Sequence, residues 1–231
     1  MKVNCLNFAT SKNSRYSFLY GSELVIKQDI ADQILQSLKL AGFNDKVSLH
    51  QDELDKAEEI ISRNVGGSLF QEKLILHLKH TSGKFPEKIK MILENQHLYN
   101  SDNLALIVES SIEKTPASGA WIKYIDEKGL IVNCSKLKTN EEKIWLKRQL
   151  EFLPKSLLPM FGGSIFQNNE GNLLGQMNEV RLLKLLFNSK QEIDETETTN
   201  IVFHSGLSAF ELEDVIIDRK FEKVLQTINF L

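Results

Sequence analysis

Leu104-Ala105-Leu106-Ile107-Val108 is an unbroken apolar run. A strand with one face in water alternates apolar and polar residues, so a run without alternation predicts a strand covered on both faces, as in a parallel sheet. Working outward, four further stretches read as strands: Tyr16–Tyr20, stopped by Gly21; Val47–His50; Leu74–Leu78; and Leu130–Cys134. Helical spacing lies between them. Leu24, Ile26, Ile30, Ile34, Leu35 and Leu38 mark a helix ending at Gly42; Leu54, Ala57, Ile60 and Ile61 mark a second. Ile89, Ile92 and Leu93, then Trp121, Ile122 and Ile125, mark two more. Strands alternating with helices predict a parallel sheet with right-handed crossovers.

The period changes after Cys134. Glu141–Phe152, Leu157–Phe166 and Asn172–Phe187 read as helices, the last with Leu173, Leu174, Met177, Val180, Leu183 and Leu186 on one face. Gln191–Thr199 is polar and acidic, as a loop would be, and Ala209–Leu231 is again helical in pattern. An α/β region therefore gives way to an all-α region near residue 138. The apolar helical pattern runs to Leu231 with no cap or glycine after Phe230, as in a chain cut short.

The chain has 231 residues and a formal net charge of -3, so any nucleic-acid contact would come from a local patch. No apolar run reaches the length of a bilayer span, and Met1-Lys2-Val3-Asn4-Cys5 does not open a signal peptide. Cys5 and Cys134 lack metal-ligand spacing and read as reduced thiols of a cytoplasmic protein.

Catalytic signatures are hard to find. The pattern G-x-x-x-x-G-K-[ST] is missing: Gly83-Lys84 is followed by Phe85 and has Leu78 where the first glycine belongs. The turn Gly21-Ser22-Glu23 is short and acidic, and a carboxylate repels phosphate. Glu109 ends an apolar strand, either as a magnesium-organising acid or as a solvated strand end. His77 and His80 have too few companions for a metal site. Ser164 departs from G-x-S-x-G because Phe166 replaces the last glycine. No cofactor is expected.

Gly66-Gly67-Ser68-Leu69-Phe70 stands at a break between a helical pattern and the strand at Leu74. Leu69 and Phe70 either close over the core or form a hydrophobic plug for a partner's pocket.

Four ordered stretches resemble the delta subunit of the bacterial DNA polymerase III clamp loader. Tyr16–Gly21 is similar to its opening strand, and Ser68-Leu69-Phe70 before an apolar strand to its clamp-binding element. Asp102–Val108, Lys114, Ala120-Trp121-Ile122-Lys123 and Gly129–Cys134 are similar to its later sheet elements. Glu170-Gly171-Asn172-Leu173-Leu174, with Glu179 and Leu183 downstream, is similar to a helix of its second domain. Two departures stand out: no Asp-Pro follows Gly21, and Gly66-Gly67 replaces a bulkier pair.

The resemblance implies an α/β fold with a degenerate AAA+ type parallel sheet flanked by helices, residues 1–138, lacking a phosphate loop. A small all-α lid domain, 139–207, and the start of a helical collar, 208–231, would follow. It implies clamp binding through Ser68, Leu69 and Phe70. It implies as partners the sliding clamp (beta subunit), the other loader subunits (gamma/tau and delta prime) and primed DNA through the complex, with no membrane. The chain would have no ATP site of its own and would serve the DNA-directed DNA polymerase (nucleotidyltransferase) holoenzyme. Lys143, Lys147 and Arg148, on one helical segment, either face a phosphate backbone or form a solvated face. Two rivals are a stand-alone clamp- or peptide-binding adaptor and a nucleotide hydrolase with a diverged loop.

Overall fold

The computed structural model describes residues 2–8, 14–65, 73–95, 101–115 and 119–189. The chain separates into two compact units, residues 1–137 and 138–231. The proposed collar residues, 208–231, lie outside the described residues.

The first unit is built on six parallel strands: β1 (Lys2–Asn4), β2 (Tyr16–Tyr20), β3 (Asp45–His50), β4 (Leu74–His80), β5 (Leu104–Ser110) and β6 (Leu130–Asn133). Their order across the sheet is β1-β6-β2-β5-β4-β3, and every neighbouring pair is parallel. Helices α1 (Leu24–Leu40), α2 (Asp55–Val65), α3 (Glu87–Glu94) and α4 (Ala120–Lys128) supply the connections. The central strands β4 and β5 are buried along almost their whole length. This is the α/β architecture expected from the sequence, a parallel sheet flanked by helices.

Strand alternation assigns the two faces. Phe18, Leu74, Leu76, Leu78, Leu104, Leu106, Val108 and Ile131 form one core with Leu54, Ile61, Ile89, Leu93, Trp121 and Ile125 of the helical segments. The alternate residues Ser17, Leu19, Ile75, His77, Ala105 and Ile107 are also buried. They lie on the face of α1, whose Ile26, Ile30, Ala31, Ile34 and Leu38 point inward. The sequence reading missed β1, because three residues are too short to show a period. It pairs Lys2, Val3 and Asn4 with Ile131, Val132 and Asn133.

The second unit contains α5 (Thr139–Gln149), α6 (Leu158–Asn168) and α7 (Leu173–Ser189). Trp145, Leu146, Leu150, Leu153, Phe161, Ile165, Leu173, Met177, Val180 and Leu183 are buried. The buried face of α7 differs from expectation at one point: Leu174 is 57% exposed, while Gln176 is fully buried. The cause is polar rather than apolar packing, since Gln176 serves the buried Glu142 carboxylate.

Candidate functional site

Parallel α/β sheets bind ligands beyond the carboxyl ends of their strands, where helix N-termini present unpaired N–H groups. In this chain the turn from β2 into α1 is closed by contacts of its own. Gly21, at φ +125°, lies against the end of β6, and a Cβ there would fall closer than 3.0 Å to Cys134 C and O and to Ser135 N. The Glu23 N–H donates to Cys134 O at 3.0 Å, and the Cys134 N–H donates to Tyr20 O at 2.6 Å. The Glu23 carboxylate accepts from the Val25 N–H at 3.3 Å, capping α1. The turn that would cradle a phosphate is thus sealed onto the neighbouring strand and carries its own anion.

Lys27 comes next on α1. It is 3% exposed, and its Nζ donates to Ser110 O at 3.2 Å. Burial pushes its pKa down, opposed chiefly by the Glu109 carboxylate. Glu109 accepts from His77 Nε2 at 2.7 Å with its side chain 15% exposed. Burial pushes the Glu109 carboxyl up, but the His77 hydrogen bond and the charges of His77, Lys79 and Lys27 outweigh it and hold the group low. Glu109 is not the solvated strand end that one sequence reading expected: its carboxylate is the partner of a buried histidine.

His77 and His80 are both within β4, three residues apart, so they project from opposite faces. His80 Nδ1 meets Ser110 Oγ at 2.9 Å, and its ring packs edge-on against Phe85. Burial holds the His80 pKa down, with the Lys27 charge adding to it and a Ser82 backbone hydrogen bond opposing. Among the described residues, no group of three or more His, Cys, Asp or Glu could hold a metal ion.

Ser68, Leu69 and Phe70 lie outside the described residues. Helix α2 ends before them at Val65, and the described chain resumes after them at Lys73 and β4. Lys73 Nζ donates to Ala41 O at 3.0 Å and sits 5.3 Å from the centre of the Phe43 ring.

Lys143, Lys147 and Arg148 are all exposed on α5. At roughly 100° per residue, Lys143 and Lys147 share one side while Arg148 is set well round from both. Lys143 also covers the Phe166 ring at 4.7 Å. The structure therefore brings together two of the three predicted cations.

One polar cluster was not foreseen. Glu142, 4% exposed, accepts through Oε1 from the Gly171 N–H at 2.8 Å and from the Gln176 amide. Gln176 also donates to Asn169 O at 3.0 Å. Gly171, at φ +76°, makes the tight turn into α7. Asn172 caps that helix by accepting from the Gly175 N–H at 3.0 Å. The Gly171-Asn172 pair was visible in the sequence, but its buried carboxylate partner, 29 residues earlier, was not.

The family model for the DNA polymerase III delta subunit matches residues 17–135. Among solved structures, the Bacillus subtilis DNA clamp loader delta protein is similar at TM-score 0.55 and 16% identity, over 93% of this chain and 66% of that one. This chain thus spans just under two thirds of that protein, and the likeness speaks to fold. AMPPCP-bound DnaA from Aquifex aeolicus is similar at TM-score 0.43 and 16% identity, over 92% of this chain and 64% of that one. Saccharomyces cerevisiae RIF2 is similar at TM-score 0.44 and 13% identity, covering 81% and 82%. No curated protein matches the sequence significantly. No helix among the described residues is long and apolar enough to cross a membrane.

Proposed function

Since the chain belongs to the DNA polymerase III delta-subunit family, we propose that it acts in a replicative clamp loader, binding the ring-shaped sliding clamp and biasing it open. The observation that carries this reading is an ATPase-type sheet whose phosphate-facing turn is sealed by Gly21, Glu23 and Cys134. Such a subunit contributes binding energy, and nucleotide hydrolysis falls to its partners, the gamma/tau subunits. Delta prime and primed DNA complete the set of partners, in the cytoplasm.

The proposed contact is the Ser68-Leu69-Phe70 tip. Burial of one Leu and one Phe side chain in an apolar pocket supplies roughly 3–6 kcal/mol before ordering costs. Lys143 and Lys147 are the proposed phosphate contacts, each neutralising backbone charge without reading bases.

The test is capture of the purified sliding clamp by the full chain. The double substitution Leu69→Ala plus Phe70→Ala should abolish capture, with Phe70→Ala alone weakening it by at least about 2 kcal/mol. Unchanged capture by the double variant would remove the tip from the mechanism. Copurification of the gamma/tau and delta prime subunits tests membership of the loader. Saturable ATP binding by the isolated chain would contradict the sealed turn.

A further inference from the structure

Cys5 and Cys134 are 129 positions apart in sequence, yet each directly follows one strand of the parallel β1–β6 pair. The register of β1 on β6 runs Val3 to Val132 and Asn4 to Asn133. Each cysteine is the next residue after the last of these pairs. Cys5 opens a short 3-10 turn, Cys5–Asn7, directly after β1, and Cys134 directly follows β6, so each stands one residue beyond the Asn4–Asn133 pair. The Cys5 thiol is close enough to act electrostatically on the Cys134 thiol. Neighbouring strands lie about 4.8 Å apart, within the span of about 4.4–6.8 Å between Cα atoms that a disulfide bridges. Both residues are thiols in the structure.

We propose that Cys5 and Cys134 form an oxidisable pair, a site of reversible disulfide formation that staples the N-terminal edge strand to β6. Cys5 is half-buried and Cys134 fully buried, so an oxidant meets Cys5 first. Burial, with the Cys5 thiol beside it, also holds the Cys134 thiol in its protonated form. With a peroxide as oxidant, the Cys5 thiolate attacks one peroxide oxygen. The O–O bond breaks, Cys5 becomes a sulfenic acid, and the other oxygen leaves as water. The Cys134 sulfur then displaces the sulfenic oxygen as a second water, and the S–S bond forms. Two thiols lose two electrons, the peroxide gains two, and both thiol protons end in the two waters. A thiol reductant reverses the step through a mixed disulfide.

The position has a structural consequence. Cys134 O accepts the Glu23 N–H, and Cys134 packs on Gly21, so the staple closes directly beside the sealed turn. Three residues further on, at Leu137, the first unit ends. Oxidation thus fixes the edge strand, the turn and the chain's exit from the sheet to one another.

The chain contains only these two cysteines, which makes the test simple. The full chain is treated with hydrogen peroxide, then alkylated under denaturing conditions and weighed. The expected product is a monomer lighter by two hydrogen atoms (about 2 Da), alkylated at neither cysteine and restored by dithiothreitol. Peptide mapping should join Cys5 to Cys134. Cys5→Ser should yield no such species and leave Cys134 open to alkylation after unfolding. The proposal is overturned if the wild-type chain gains oxygen at Cys5 while Cys134 remains alkylatable, or if the disulfide forms only between two chains.

Discussion

Gly21→Ala is the sharpest perturbation of the sealed turn. The added methyl carbon would fall closer than 3.0 Å to Cys134 C, Cys134 O and Ser135 N. All three are backbone atoms, so no side chain can rotate away, and either the turn or the end of β6 must move. Alanine must also adopt φ +125°, which costs about 1–3 kcal/mol as a sparsely populated conformation. The overpacking adds about 1–3 kcal/mol. The two together predict a loss of about 2–6 kcal/mol, against the roughly 5–15 kcal/mol that holds a typical domain folded. Urea unfolding of the full chain, followed by circular dichroism, reads the loss. Hydrogen exchange at the Glu23 and Cys134 amides reads its location, because both amides bond across this seam. A loss below about 1 kcal/mol with unchanged exchange at both amides would show that the turn is not pressed on β6.

Three other expectations are tested by the same methods. Glu142→Ala leaves the Gly171 N–H and the Gln176 amide without their shared acceptor and should cost roughly 2–6 kcal/mol, with Glu142→Gln costing less. A helical unfolding transition unmoved by Glu142→Ala would refute the role given to that carboxylate. His80 has its pKa held below the ordinary 6.5, so the unfolded chain takes up the proton first and stability should fall as pH drops below 6.5. His80→Phe should flatten that fall, as a pH series of urea midpoints would reveal. Lys27 is likewise lowered, from 10.5, so the folded chain releases this proton before the unfolded chain does and stability should rise as pH climbs towards 10.5. In Lys27→Met the rise should disappear; its persistence would mean that other groups produce it.

The sheet was legible because its signal is local. The run at Leu104–Val108 is buried on both faces, and the helix-strand alternation around it allowed only a parallel arrangement. Gly21 marked a turn, and the acidic Glu23 argued against phosphate there. What could not be read was partnership across distance. Nothing near His77 in sequence announces Glu109, 32 residues away, and nothing near Glu142 announces Gln176, 34 residues away. Cys5 and Cys134 looked unrelated because the strand that joins them is only three residues long. Leu174 misled because helical spacing alone cannot tell a core leucine from an exposed one when a buried glutamine occupies the inner face.

The sealed turn also limits how this chain could open a ring. A phosphate-binding turn ordinarily leaves N–H groups unsatisfied until its ligand arrives. Here the Val25 N–H is capped by Glu23, the Glu23 N–H by Cys134 O, and Lys27 reaches Ser110 O. Under the proposed function, energy for opening would then come from the clamp contact itself, through tighter binding to the open form than to the closed one. Reversing a closed-to-open ratio from roughly 99:1 to 1:99 takes about a 10⁴-fold difference in affinity, about 5.5 kcal/mol. The proposed Leu69-Phe70 tip supplies roughly 3–6 kcal/mol in total, so nearly all of its energy must be withheld from the closed ring. A clamp variant held monomeric, with the ring interface already broken, should therefore bind the full chain about 10²-fold tighter, the inverse of a roughly 1% open fraction. Isothermal titration against the closed and monomeric clamps measures the ratio. Equal affinities would exclude this chain as the opener.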